Sequence, residues 1–127
     1  MKLLLDTHLL LWAAAGNLPA DAARYINDMD NILYFSPASI WEIVIKRGFD
    51  RTDFIVNPAS LYDGLIRAGY IELVIKGQHT LFVHSLPMLH KDPFDRILLA
   101  QSAYEGITLL TTDKFISQYP GNIIYIQ

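Results

Sequence analysis

The chain has 127 residues, of which 52% are hydrophobic and 18% are charged; this balance excludes an intrinsically disordered protein and allows a domain with a sizeable core. It has no cysteine, which excludes disulfides, zinc–thiolate sites and cysteine nucleophiles. The formal net charge of −3 counts against broad electrostatic binding of nucleic acid, although an acidic site can still have a basic rim.

Short apolar runs alternate with helix-like segments along the chain. We predict strands at residues 2–5, 32–35, 71–74, 108–110 and 123–126. We predict helices at residues 8–15, 19–29, 38–47, 57–69, 78–86, 92–104 and 113–118. Because the strands are apolar throughout and separated by helices, this order predicts one α/β domain, residues 1–127, with a central, mostly parallel sheet covered on both faces.

The N-terminal apolar run resembles a signal peptide in composition. Asp6 and His8 interrupt it, and a strand followed by a helix explains it better. No stretch is long and apolar enough to span a bilayer. We therefore expect a cytoplasmic protein with no membrane association.

Acidic residues adjoin several of the apolar elements. They are Asp6, Glu42, Asp92, Asp95 and Asp113. Parallel α/β sheets collect their functional groups at the carboxyl ends of strands, near the point where the strand order reverses, so these acids could meet at one edge. Clustered carboxylates are costly unless their charge is compensated, and magnesium or manganese ions prefer oxygen ligands. The joint pattern predicts a metal-dependent phosphodiesterase site.

Each acid also has a structural explanation when it is taken singly. Asp92 is a suitable N-cap, and Asp95 and Asp113 could interact with the dipoles of the helices that they begin. Asp6 and Glu42 are harder to explain in this way, because each directly adjoins apolar residues of a predicted core element. The combination therefore indicates a site more strongly than any one member does.

Four segments carry a family resemblance. They are LLLDTHLLLW, PASIWEIVIK, HKDPFDRILLAQ and LLTTDKF, in this order. Together they resemble a PIN-domain protein of the VapC type, the toxin component of bacterial toxin–antitoxin pairs, and DPFDR is typical of one branch. The resemblance implies a PIN-like three-layer α/β/α sandwich, a magnesium- or manganese-dependent ribonuclease that acts on RNA, a cognate antitoxin and a homodimer.

The resemblance also implies a set of site residues. The catalytic acids correspond to Asp6, Glu42, Asp95 and Asp113. We expect Asp6, Asp95 and Asp113 to hold the metal directly or through water, and Glu42 to orient or deprotonate the attacking water or to complete a second metal site. Asp92 is interpreted first as a supporting group or N-cap and second as a ligand.

Three further residues adjoin these acids and are candidates to support them. Thr7 and Thr112 could orient a carboxylate or contact a phosphate, or they could be ordinary N-caps. Arg96, beside Asp95, could meet a phosphate or pair with Asp92 across the helix turn.

Some basic residues could form a rim for RNA. They are Lys46, Arg47, Arg51, Lys91 and Lys114. A solvated helix face is the better explanation for most of them. Trp12 and Trp41 are predicted to fill the core rather than to stack on bases.

The four histidines lack a metal-binding spacing such as HExxH. His8 is a candidate to support the site from the first helix, whereas His79, His84 and His90 are interpreted as structural or surface residues.

Two other classes of protein compete with the nuclease hypothesis. A receiver-like domain or a dehalogenase-like phosphatase also uses magnesium and aspartates at strand ends, but the second strand here ends in Ser36 and Asp6 is followed by Thr7 and His8 instead of a second acid. A non-catalytic PIN-like docking domain would use the same acids to receive basic segments of a partner, and metal binding would distinguish it from an enzyme.

Overall fold

The structure, a computed structural model, describes residues 1–48 and 56–127. Within these ranges the strands are β1 (Lys2–Leu5), β2 (Ile32–Phe35), β3 (Ile71–Glu72), β4 (Thr108–Thr111) and β5 (Ile123–Tyr125). The helices are α1 (Thr7–Ala15), α2 (Ala20–Ile26), α3 (Pro37–Arg47), α4 (Pro58–Arg67), α5 (Gly77–Phe82) and α6 (Pro93–Glu105). Two 3-10 turns, Val83–Ser85 and Ile116–Gln118, follow α5 and β4.

The strands form one parallel sheet in the order β3-β2-β1-β4-β5. The chain builds the sheet outward from β1 in one direction through β2 and β3, and then continues on the other side with β4 and β5. The strand order therefore reverses between β1 and β4. In open α/β sheets, the carboxyl ends of the two strands at such a reversal border the crevice where ligands bind.

Helices cover both faces of the sheet. Successive side chains of each strand point to opposite faces, so each strand contributes to both layers. Leu3 and Leu5 of β1 point into a core cluster that also contains residues of α1, α2, α3 and α4. Leu4 points to the opposite face, into a cluster with Leu98 of α6 and Ile116. The prediction of a three-layer α/β/α sandwich around a parallel sheet is thereby confirmed.

Local signals in the sequence explain where most helices begin. The side chains of four residues accept a hydrogen bond from a backbone N–H in the first turn, and these N-caps are Asp6, Ser36, Asn57 and Asp92. Proline follows three of them, where its missing N–H costs nothing. Gly106 ends α6 with a φ of 69°, a left-handed conformation that favours glycine.

The predicted helix at residues 113–118 is wrong. Asp113 Oδ1 accepts a hydrogen bond from Phe115 N at 2.8 Å, which forms a tight turn, and only the short 3-10 turn Ile116–Gln118 follows. Six residues before Tyr119 can form few helical hydrogen bonds to offset the cost of nucleation.

Strand β3 and helix α5 are shorter than predicted. Gln101 Nε2 donates to Leu73 O at 2.8 Å, so a side chain of α6 satisfies that carbonyl beyond the end of β3. The predicted helix at 78–86 divides into α5 and the 3-10 turn that follows it. Within the described ranges, no helix has the length and apolar character needed to cross a membrane.

Candidate active site

A cavity of about 200 Å³ lies at the reversal point of the sheet. It is lined by acids from four separate elements: Asp6 after β1, Glu42 of α3, Asp95 of α6 and Asp113 after β4. The structure therefore brings together all four acids that the sequence singled out as catalytic. Asp92 lines the same cavity.

Asp6 is almost completely buried, and hydrogen bonds hold both of its carboxylate oxygens. Oδ1 accepts from Leu9 N at 2.9 Å, while Oδ2 accepts from Thr111 Oγ1 at 2.6 Å and from Thr112 N at 3.1 Å. Burial raises the pKa of Asp6, and these hydrogen bonds, together with the nearby His8, act in the opposite direction. The carboxylate is thus fixed in orientation, with Oδ2 fully engaged and Oδ1 able to accept a further ligand.

Glu42 is buried and is held from two sides. Thr7 Oγ1 donates to Oε1 at 2.6 Å and lies 2.9 Å from Ser39 Oγ. Lys46, one turn further along α3, donates to Oε2 at 2.5 Å. Thr7 is the first residue of α1 and not its cap, so it contributes to the site by orienting a carboxylate.

Asp95 and Asp113 face each other across His90. His90 Nε2 lies 2.8 Å from Asp95 Oδ2 and 3.7 Å from Asp113 Oδ2. Among the described residues, these three form a group whose ligand atoms all lie within 4.8 Å of one another. This geometry suits a divalent ion, because carboxylate oxygens are ligands of magnesium and manganese and a histidine nitrogen is a ligand of transition metals.

The electrostatics of Asp95 also favour a cation. Burial, followed by the negative charges of Asp92 and Glu42, raises the pKa of Asp95 to about 7, while His90 lowers it and Asp113 raises it. The carboxylate therefore lacks sufficient compensation in the protein alone. A bound cation would provide it.

Asp92 and Thr112 support this arrangement in different ways. Asp92 Oδ1 accepts from Phe94 N at 2.9 Å and caps α6, as its N-cap interpretation predicted, and its charge acts on Asp95. Thr112 contributes its backbone N–H to Asp6. The hydroxyl that holds Asp6 belongs to the preceding residue, Thr111.

Arg96 makes contacts that neither of its interpretations predicted. Its side chain is buried and forms no ion pair with Asp92 among the described residues. Nη1 donates to Pro87 O at 3.0 Å and to Tyr119 Oη at 3.2 Å, and Nη2 donates to Val83 O at 3.1 Å. Arg96 instead anchors the segment that carries His90, because a buried guanidinium needs several acceptors.

The aromatic and basic residues differ in part from expectation. Trp12 packs against the core, but Trp41 is 62% exposed, with its ring edge-to-face on Phe94 at 5.3 Å. Arg47, Lys91 and Lys114 are exposed beside residues that line the cavity, whereas Lys46 belongs to the cavity itself. Arg51 lies outside the described residues.

Sequence reasoning missed two residues of the site, His90 and Thr111. His90 was interpreted as structural or on the surface, whereas it lies between two carboxylates. The sheet register places Thr111: Leu4 pairs with Leu109 and Leu5 with Leu110, so Asp6 and Thr111 come next on adjacent strands. His79, by contrast, is structural, with Nε2 2.6 Å from Glu105 Oε2.

Comparison with known proteins identifies a family by sequence. The sequence pattern of the PIN domain family matches residues 3–122, which is most of the chain. No protein of the curated set matches it in sequence. The match to PIN domains sets aside the receiver-like and phosphatase alternatives.

Several solved structures have a similar fold. A chain of VapBC2 from Rickettsia felis, bound to a DNA fragment from its promoter, superposes with a TM-score of 0.73 at 17% identity over 100% of both chains. A chain of DNA-bound VapBC from Salmonella typhimurium gives a TM-score of 0.71 at 14% identity, with 98% of each chain covered. A chain of VapBC-1 from nontypeable Haemophilus influenzae gives 0.64 at 15% identity, also with 98% coverage. At these identities the likeness shows the fold.

Proposed function

The chain belongs to the PIN domain family, and on this premise we propose that it is a metal-dependent endoribonuclease, a VapC-like toxin that cleaves RNA. One observation carries the proposal: acids from four separate elements line one cavity at the reversal point of the sheet, and a group of three possible metal ligands lies within it. Buried acidic side chains destabilise a fold unless their charge is compensated. The packing of the core does not require them, so their presence here supports a role in binding a cation.

The residues of the cavity have distinct roles in this proposal. Asp95, Asp113 and His90 would hold the magnesium or manganese ion, with the open position on Asp6 Oδ1 available to a metal-bound water. Such an ion would supply an activated water and stabilise negative charge on the phosphate oxygens. Glu42, fixed by Thr7 and facing the same cavity, would orient the attacking water.

A protein partner forms part of the proposal. The similar folds come from VapBC complexes, two of them bound to DNA. We extend this to the present chain as a toxin that is neutralised by a cognate antitoxin and that forms a homodimer. A basic antitoxin segment would bind the acidic cavity by charge complementarity and thereby exclude RNA.

The experiment is cleavage of a mixed RNA pool by the purified chain with magnesium or manganese, and with EDTA. Asp113→Asn is the most informative variant, because the asparagine oxygen can still accept the hydrogen bond from Phe115 N while the negative charge is lost. Removal of a ligand should slow cleavage by at least about 100-fold, because even changes to outer-shell partners of metal sites cost about 10- to 100-fold.

Asp63→Asn, which changes an exposed acid on α4, is the matched control and should cleave normally. Intact RNA after incubation with folded, metal-loaded wild type would favour a docking domain. Equal cleavage by wild type and Asp113→Asn would show that the active site lies elsewhere.

A further inference from the structure

Lys46 lies inside the candidate active site and not on its rim. Its side chain is only 24% exposed, and it lines the cavity together with the acids. Nζ donates to Glu42 Oε2 at 2.5 Å, in a hydrogen bond between two charged groups. Because Lys46 follows Glu42 by one turn of the same helix, α3 places the two groups within reach of each other.

The charges divide the cavity into two halves. In the first half, Lys46 offsets the charge of Glu42, and Thr7 occupies the other carboxylate oxygen. In the second half, Asp95 and Asp113 have His90 between them as the nearest basic group. The second half therefore needs a cation, whereas the first already contains one.

The position of Nζ bears directly on how many ions the cavity can hold. Magnesium binds oxygen ligands at about 2.0–2.1 Å, so an ion on Glu42 Oε2 would lie next to the ammonium group. Repulsion in a partly buried site would oppose this arrangement. In two-metal nucleases the second ion stabilises charge on the phosphate, a task that a fixed ammonium group can also perform.

Resting on the proposed function, we propose that Lys46 takes the place of a second divalent ion beside Glu42, so that the cavity binds a single ion at His90, Asp95 and Asp113. Lys46 is in this sense a positioning residue: it sets the charge and orientation of Glu42 and restricts metal binding to one half of the cavity.

The test counts ions in the absence of RNA. Manganese binding to the purified chain, followed by electron paramagnetic resonance and by calorimetry, should give one ion per chain. Lys46→Met keeps most of the apolar stem but removes the charge, and it should bind a second, weaker ion. Lys46→Arg should bind one ion, because the charge is kept. Lys2→Met, at the amino end of β1, is the matched control and should also bind one.

The outcomes separate this inference from the proposed function. Two ions of similar affinity in the wild type would overturn the role of Lys46 and leave the nuclease proposal intact. This outcome is measured on the wild type alone. A single ion in folded Lys46→Met would also overturn it. No bound ion in the wild type would overturn both proposals.

A second measurement uses catalysis. Lys46→Met should cleave RNA poorly at low manganese concentration and recover as the concentration rises, because an ion can then occupy the place of the ammonium group. A purely structural role for Lys46 would leave a defect that manganese does not repair.

Discussion

Asp95 is the residue whose ionisation costs the folded protein most clearly. It is largely buried, with 16% of its side chain exposed, and Asp92, Glu42 and Asp113 add negative charge around it. Its pKa of about 7 in the folded state exceeds the usual value near 3.8. A raised carboxyl pKa means that the folded state binds the proton more tightly than the unfolded state does, so the contribution of Asp95 to stability depends on pH.

The raised pKa of Asp95 fixes the direction in which the stability changes with pH. The stabilising contribution of the protonated carboxyl is complete below about pH 4 and is lost as the pH rises to about 7. Without divalent metal, the stability of Asp95→Asn relative to the wild type should therefore rise between pH 5 and pH 8, by an amount on the order of 3 kcal/mol. Thermal unfolding in EDTA at the two pH values measures the difference.

Added manganese should offset this rise at pH 8, because the ion stabilises the wild type and cannot bind as well to the amide of Asp95→Asn. Asp30→Asn, at an exposed turn, should unfold like the wild type at both pH values. A gap between Asp95→Asn and wild type that is the same at pH 5 and pH 8 would contradict the assignment of the raised pKa to Asp95.

At the scale of elements, the segment between α5 and α6 determines whether the site forms. It carries His90 but lies outside the sheet, so few regular hydrogen bonds hold it. Arg96 reaches out from α6 to bind the carbonyl oxygens of Val83 and Pro87. Tyr119 Oη accepts from His90 N at 2.7 Å, which ties the same segment to the chain after β4. The side chains of Arg96 and Tyr119 thus hold the segment that positions His90.

Replacement of Arg96 tests that anchor. Arg96→Met keeps an apolar stem but leaves the partly buried carbonyl groups of Val83 and Pro87 without their donor, and it should lower the free energy of unfolding by about 2–4 kcal/mol. Hydrogen exchange of the amides of residues 83–91 should accelerate more than that of β1 and β4, because the segment loses its anchor before the sheet opens.

The matched control is Arg67→Met on α4, where the exposed side chain donates a long hydrogen bond, of 3.4 Å, to Asp63 O. It should change neither the stability nor the exchange pattern appreciably. Exchange that rises evenly over the whole chain in Arg96→Met would indicate a global loss of stability and not a local anchor.

The same contrast explains what could be predicted from the sequence. Strands such as β1 and β4 were found because their apolar runs are local signals, and the acids were found because each adjoins such a run. His90 has no local signal: its place depends on the path of residues 83–92, which long-range contacts of Arg96 and Tyr119 determine. The correct threonine partner of Asp6 likewise required the register between β1 and β4, which a single sequence does not contain.

At the scale of the whole molecule, the net charge of −3 means that the RNA of the proposed function would approach an acidic protein. We therefore do not expect an extended positively charged surface for RNA. Cations do occur next to the cavity: Arg47, Lys91 and Lys114 are exposed and adjoin cavity-lining residues in the sequence. The proposed function implies that binding depends on a few local phosphate contacts near the metal, and on little attraction from elsewhere.

The salt dependence of RNA binding tests this distribution of charge. For single strands, the slope of log K against log salt is about −0.7 for each phosphate contact. With about three local contacts, Asp113→Asn, used because it cleaves slowly, should bind single-stranded RNA with a slope of about −2. Adding Lys91→Ala and Lys114→Ala should make the slope shallower by about 1.4. Lys2→Ala with Arg67→Ala, near the amino ends of β1 and β3, should leave it unchanged. A slope that responds equally to both pairs would mean that RNA contacts the molecule over a much wider surface than the rim of the cavity.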